Sequence, residues 1–77
     1  MYETGAELIK VHRERKKMTQ KELSALMNVS SGHIHKIENT PGLAEEQSIS
    51  FWYRISKFLS IEPYEIWNAV SQNIKYT

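Results

Sequence analysis

Two threonines, each followed three positions later by a glutamate, constrain most strongly how this chain folds. The first pair is Thr4 and Glu7. The second pair is Thr19 and Glu22. This spacing is typical of the capping box, in which each side chain accepts a hydrogen bond from a backbone amide that the first helical turn leaves without a partner. The pattern therefore predicts that a helix begins directly after each threonine, and apolar residues at helical spacing follow both starts.

Helix signals continue along the rest of the chain. Asn28 tolerates the left-handed conformation found just past helix ends and predicts the end of the second helix, while Ser30 predicts the start of a short third one. After a turn-rich segment at 40–48, apolar residues repeat on two faces of a fourth helix, and Pro63 suits the first turn of a fifth. Because no segment alternates in polarity as a strand does, the expected fold class is all-α, with five short helices.

Size and composition limit what the chain can be. Its 77 residues fit one domain, expected to span 1–77, and the absence of cysteine excludes thiol catalysis and zinc fingers. The chain also lacks aspartate and leaves little room for a substrate cavity, so we expect no catalytic residues and no enzymatic activity. No apolar run reaches the length of a signal peptide or of a roughly 20-residue membrane span, which predicts a cytoplasmic protein with no membrane partner.

Charge is distributed unevenly along the chain. The formal net charge is only +1, which argues against indiscriminate coating of nucleic acid. Residues 10–36, however, contain seven lysines and arginines against two glutamates, whereas the remainder is acidic overall. The first half of the chain therefore carries the charge that a DNA-contacting face needs.

The second and third helices carry a recognisable pattern. The sequence MTQKELSALMNVS at Met18–Ser30 is followed in phase by Ile34, Ile37 and Glu38. Together these residues strongly resemble the lambda-repressor-like (Cro/Xre-type) helix-turn-helix family.

The resemblance covers about residues 5–67, and 68–77 are expected to extend the last helix and form a tail. It implies a compact five-helix domain whose recognition helix, about residues 31–39, lies in the major groove of double-stranded DNA. It also implies a sequence-specific regulator of transcription, more often a repressor, that binds a palindromic operator as a homodimer.

The resemblance assigns base contacts to the third helix. Ser31, Gly32 and Lys36 match positions that usually reach base edges. Lysine can donate to O6 and N7 of guanine, an interaction worth on the order of 1–3 kcal/mol of discrimination. Lys36 is therefore the leading candidate for setting sequence preference.

A second group of residues is expected at the DNA backbone. Gln20 and Asn39 match family positions that contact phosphates, and such contacts set the register of a protein on DNA. Lys17 and Lys21 lie beside the start of the second helix in the most basic part of the chain. His35 points outward on the third helix and can donate to a phosphate when its ring is protonated.

Three charged or titratable residues are interpreted as structural. The family pairs the glutamate that Glu38 matches with the arginine that Arg13 matches, and a bidentate pair satisfies both charges away from water. His12, on the inward face of the first helix, is expected to be neutral, hydrogen-bonded and partly buried.

His33 and His35 are two positions apart and point to different sides of a helix, so we expect no metal site and no cofactor.

Aromatic residues in the second half exceed what a core of this size needs. Phe51 and Phe58 of the fourth helix, with Trp67 and Ile74 of the fifth, are candidates for a homodimer interface. Packing between these helices within one subunit accounts for part of the set. A two-fold dimer would place two recognition helices about 34–36 Å apart, one turn of DNA.

The loop at 40–47 departs from the family pattern. It is longer than usual and carries Glu45 and Glu46, whose carboxylates would repel nearby phosphates. The loop lies away from DNA, or the affinity is weak, or the loop binds a protein. An alternative function is accordingly a protein-interaction module such as an antitoxin, with a protein partner and weak or secondary DNA binding.

Overall fold

The computed structural model describes residues 4–71. Within them the chain forms five α-helices and one turn of 3-10 helix, with no strand. The elements in chain order are α1 (Gly5–Arg15), α2 (Gln20–Met27), α3 (Ser31–Asn39), the 3-10 turn (Ala44–Glu46), α4 (Ile49–Leu59) and α5 (Pro63–Ser71). The predicted all-α fold with five helices is confirmed. No helix in this part of the chain has the length and apolar character needed to cross a membrane.

The start of α2 is a complete capping box. The amide of Glu22 donates to Oγ1 of Thr19 at 3.0 Å, and the amide of Thr19 donates to Oε1 of Glu22 at 2.9 Å. The hydrogen bond from the Thr19 backbone lowers the pKa of the Glu22 carboxyl below its ordinary value. The first turn of α2 is therefore fixed by its own sequence.

The turn between α2 and α3 also follows its sequence signals. Asn28 adopts the left-handed conformation, with φ of 57°, and the amide of Val29 donates to the carbonyl of Ser24 at 3.0 Å. Ser30 precedes α3 as predicted, but its side chain makes no capping hydrogen bond. The buried hydroxyl of Ser24 instead donates to the carbonyl of Ser31 at 3.4 Å, so a side chain of α2 holds the first turn of α3.

The core lies between all five helices, and the first four supply its largest buried side chains. Seven large side chains from these helices are completely buried: Leu8, Ile9, Leu23, Met27, Ile34, Ile37 and Ile55. Burial of this kind contributes roughly 1.5–3 kcal/mol for each large aliphatic side chain. Because α2 and α3 both bury residues in this core, their relative orientation is fixed by packing.

Trp52 joins α4 to α1 and to the 3-10 turn. Its side chain is only 6% exposed, and its indole Nε1 donates to the carbonyl of Ala44 at 3.1 Å. Its ring also lies so close to α1 that a Cβ placed on Gly5 would be 3.0 Å from it. Gly5 is therefore required by the close approach of the indole.

Two polar contacts join the remaining helices. His12 of α1 is 6% exposed, with Nδ1 3.0 Å from the carbonyl oxygen of Leu8 and Nε2 3.4 Å from Oε1 of Glu65 on α5. Arg54 of α4 donates to the carbonyl of Met27 at the end of α2. These contacts connect α5 to α1 and α4 to α2.

Candidate nucleic-acid interface

α3 has one buried side and one exposed side. Ile34 and Ile37 are completely buried. The residues of its opposite side are exposed: Ser31, Gly32, His35, Lys36 and Asn39. The structure thus brings together, on one surface, the three residues expected to contact bases and two of those expected to contact the DNA backbone.

Packing within the chain does not explain why position 32 is a glycine. A Cβ placed there would meet nothing within 4 Å, and glycine inside a helix costs about 0.5–1 kcal/mol relative to alanine. The missing side chain leaves the backbone near the start of α3 open to close approach by another molecule.

Arg13 and Glu38 form a buried, bidentate ion pair beneath α3. Nε of Arg13 donates to Oε2 of Glu38 at 2.7 Å, and Nη2 donates to Oε1 at 3.0 Å. The two side chains are 11% and 2% exposed. The third donor of Arg13, Nη1, reaches the carbonyl of Met18 at 2.8 Å. The hydrogen bond to Glu38 raises the pKa of Arg13 above its ordinary value.

Gln20 extends this pair to the exposed face of α3. Its Nε2 donates to Oε1 of Glu38 at 2.9 Å, and its Oε1 lies 3.3 Å from Nδ1 of His35. Asn39 Nδ2 donates to the carbonyl of His35 at 2.8 Å and lies 3.4 Å from Nδ1 of the same ring. Three of the residues expected at the DNA backbone are therefore linked to one another and to the buried ion pair.

The other two residues expected at the DNA backbone, Lys17 and Lys21, lie on the surface around the start of α2. Lys17 is exposed in the turn before α2 and has a left-handed backbone, with φ of 53°. Lys21 is exposed in the first turn of α2. The amide groups at the start of a helix favour anions, and two lysines beside them strengthen that preference. The arrangement suits phosphate groups.

The acidic loop is fastened to α1 of the same chain. Oε2 of Glu45 accepts a hydrogen bond from the amide of Gly5 at 2.8 Å, which places this carboxylate at the positive end of the α1 dipole. The neighbouring Ala44 is completely buried, whereas Glu46 is exposed. The charge of Glu45 is therefore directed at α1, whereas that of Glu46 stays on the surface.

The residues expected at a dimer interface fall into three groups. Phe51 is only 8% exposed, and Phe58 is partly buried against the same core. Trp67 is 62% exposed, and Ile74 lies outside the described residues. An interface role does not fit Phe51, because the core of the chain already covers its ring.

The exposed apolar surface of this half of the chain lies in a groove between α4 and α5. Ile49 and Tyr53 of α4 are 89% and 60% exposed, and they line a groove of about 480 Å³ together with Trp67, Ile66 and Val70. Helical spacing alone did not separate Ile49 from the buried residues of α4, because apolar residues occupy two faces of that helix. We refer to this surface as the α4–α5 groove.

Comparison with known proteins agrees with the arrangement of α2 and α3. A family model described as helix-turn-helix matches residues 9–66, which is more than half of the chain and contains α2, α3 and α4 completely. Searches among curated proteins and among solved structures gave no significant match.

Proposed function

The chain belongs to the lambda-repressor-like (Cro/Xre-type) helix-turn-helix family of DNA-binding regulators, and we propose that it represses transcription by binding a palindromic operator as a homodimer. One observation carries the proposal: α3 is held from beneath by buried isoleucines and an ion pair while its outer face is entirely exposed. A helix fixed in this way presents its outer side chains to the major groove in a constant geometry. The protein acts in the cytoplasm and has no catalytic role.

The residues divide between base and backbone contacts. Ser31, Gly32 and Lys36 contact base edges, since they share the exposed face of α3. The backbone contacts come from Lys17 and Lys21, and from Gln20 and Asn39, both of which contact His35. One amide hydrogen of Gln20 is used by Glu38, which leaves the second for a phosphate.

Replacing Lys36 with alanine tests the specific part of this proposal. We expect affinity for the best-bound duplex to fall by about 5–150-fold, because a well-formed contact to guanine is worth about 1–3 kcal/mol. The preference at one base pair of each half-site should relax at the same time. The measurement is fluorescence anisotropy with duplexes enriched by the wild-type chain from random-sequence DNA.

Lys10→Ala is the matched control, because Lys10 is exposed on α1 and its loss removes the same charge. Equal losses of affinity in both variants would show that Lys36 contributes only general electrostatic attraction to DNA. Failure of the wild-type chain to enrich any sequence would contradict the proposed function itself.

The homodimer is proposed on the α4–α5 groove. Monomeric proteins rarely expose clustered apolar surface of this kind, and three large side chains in the groove are more than half exposed: Ile49, Tyr53 and Trp67. A two-fold contact through the groove would join two subunits into one DNA-binding unit with two recognition helices.

Replacing Trp67 with glutamate should therefore separate the subunits. In sedimentation velocity we expect the wild-type chain at twice its 9.0 kDa mass and the variant at 9.0 kDa, because a charge in an apolar interface is costly to bury. Leu26→Gln is the control, since Leu26 is exposed on α2, outside the groove. A wild-type chain that stays monomeric at all concentrations would contradict the dimer and favour the alternative, in which the groove binds another protein.

A further inference from the structure

Glu38 fixes the orientation of the Gln20 amide. Its side chain is 2% exposed, and both of its carboxylate oxygens accept hydrogen bonds from Arg13. The atom of Gln20 that lies 2.9 Å from Oε1 of Glu38 must consequently be the amide nitrogen. The amide oxygen of Gln20 then faces the other way, toward His35.

Gln20 in turn fixes the position of the hydrogen on the His35 ring. Its oxygen lies 3.3 Å from Nδ1 of His35 and can only accept, so a hydrogen bond between these two atoms requires the hydrogen to be on Nδ1. Asn39 Nδ2 is near the same atom but already donates to the carbonyl of His35 at 2.8 Å. Asn39 is exposed, so its second amide hydrogen can bind water at little cost. A lone pair on Nδ1, by contrast, would face the lone pairs of the Gln20 oxygen.

This tautomer decides what His35 can offer to DNA. In the neutral ring with hydrogen on Nδ1, Nε2 carries a lone pair and only accepts. Among residues 4–71 no side chain or backbone group is hydrogen-bonded to Nε2, and His35 shares the exposed face of α3 with Lys36. A phosphate oxygen is also only an acceptor, so the expected phosphate contact at His35 requires a second proton on the ring.

We infer that His35 is a specificity-determining residue whose neutral ring accepts a hydrogen bond from a base amino group, N6 of adenine or N4 of cytosine, with Glu38 and Gln20 as the residues that position it. These amino groups are the hydrogen-bond donors that adenine and cytosine present in the major groove. The inference rests on the proposed function and moves His35 from the backbone contacts to the base contacts. Lys36, one position further along α3, supplies a hydrogen-bond donor. His35 therefore contacts a donor group on a base, and Lys36 contacts an acceptor group.

The tautomer is tested on the free protein, without DNA. Long-range ¹H–¹⁵N correlation spectra of the imidazole at a pH where the ring is neutral should show hydrogen on Nδ1 of His35 in the wild-type chain. In Gln20→Ala the population should shift toward hydrogen on Nε2. Asn39→Ala is the control and should leave hydrogen on Nδ1. Hydrogen on Nε2 in the wild-type chain would overturn the inference, whatever the protein binds.

The base contact is tested with modified DNA. In the duplex that the wild-type chain enriches, each adenine and cytosine is replaced in turn by an analogue that lacks the amino group. We expect one position in each half-site where the replacement weakens binding about five- to tenfold, the effect of one hydrogen bond. His35→Ala should remove the sensitivity at that position, whereas Lys36→Ala should retain it.

The outcomes separate the inference from the proposed function. The inference would be overturned, and the proposed function would stand, if the chain enriches a duplex but no amino-group replacement weakens binding in a way that depends on His35. Absence of any enriched sequence would overturn both, and the tautomer measured on the free protein would then describe a structural hydrogen bond alone.

Discussion

Replacing Glu38 with alanine should destabilise the domain by about 3–5 kcal/mol, the cost of leaving the charge of a buried ion pair without its partner. Arg13 would retain only its hydrogen bond to the carbonyl of Met18, at a position where its side chain is 11% exposed. A chain of 77 residues has a total stability of roughly 4–12 kcal/mol. The variant should therefore be partly unfolded at moderate temperature, and DNA binding should fall in proportion. Urea unfolding followed by circular dichroism measures the change.

A double-mutant cycle separates the ion pair from the packing of its side chains. We expect Arg13→Met combined with Glu38→Leu to cost much less than the sum of the single replacements, because the double variant leaves no buried charge unpaired. Glu46→Ala, at an exposed position of the 3-10 turn, is the control and should change stability by no more than about 0.5 kcal/mol. A loss below about 1 kcal/mol in Glu38→Ala would show that water reaches Arg13 and that the pair is not what holds α3.

The helix boundaries that could be predicted are those fixed by short-range chemistry. Thr19 and Glu22 are three positions apart and satisfy each other, and Asn28 suits the left-handed position that ends α2. Lys17 and Ser60 also adopt left-handed conformations, with φ of 53° and 57°. Neither lysine nor serine is typical of the left-handed conformation, so the sequence does not predict it at these positions. The conformation is required by how the chain turns between packed helices.

The site was predictable where it repeats a family pattern and not where it depends on contacts distant in the sequence. The pairing of Arg13 with Glu38 follows from the resemblance, and the structure places the two side chains together. The hydrogen bonds that continue from Glu38 through Gln20 to His35 join residues 18 and 15 positions apart. No local spacing rule relates them, so the role of the His35 ring emerges only from the folded chain.

The same limit applies to the acidic loop. Glu45 binds the amide of Gly5 across 40 positions of sequence, and the burial of Ala44 depends on the position of Trp52. The sequence alone leaves three interpretations of these two adjacent glutamates open: a loop away from DNA, weak affinity, or a loop that binds a protein. In the folded chain, one of them caps a helix.

Replacing Trp52 with alanine should cost about 3–5 kcal/mol, as expected when a large buried aromatic side chain is removed from a core. The loss includes the packing of the indole against α1 at Gly5 and its hydrogen bond to Ala44. Trp52→Phe retains a ring but not the donor and should cost about 1–3 kcal/mol, because the smaller ring leaves part of the space of the indole empty and the carbonyl of Ala44 keeps only its hydrogen bond from the amide of Gln47. Tyr64→Ala is the control, since Tyr64 is 65% exposed on α5 and does not line the α4–α5 groove, so its replacement should have little effect on stability.

The Trp52→Phe variant also tests whether the indole keeps the acidic loop on α1. If Nε1 of Trp52 holds the 3-10 turn in place, its loss should loosen the turn and release Glu45 from the amide of Gly5. Hydrogen exchange at the Gly5 amide, measured by NMR, should then accelerate while exchange at the core amides of Ile9 and Leu23 stays slow. Exchange at Gly5 that matches the wild-type rate would show that Glu45 holds the loop without the indole. Equal acceleration at all three amides would indicate global destabilisation instead of a local release.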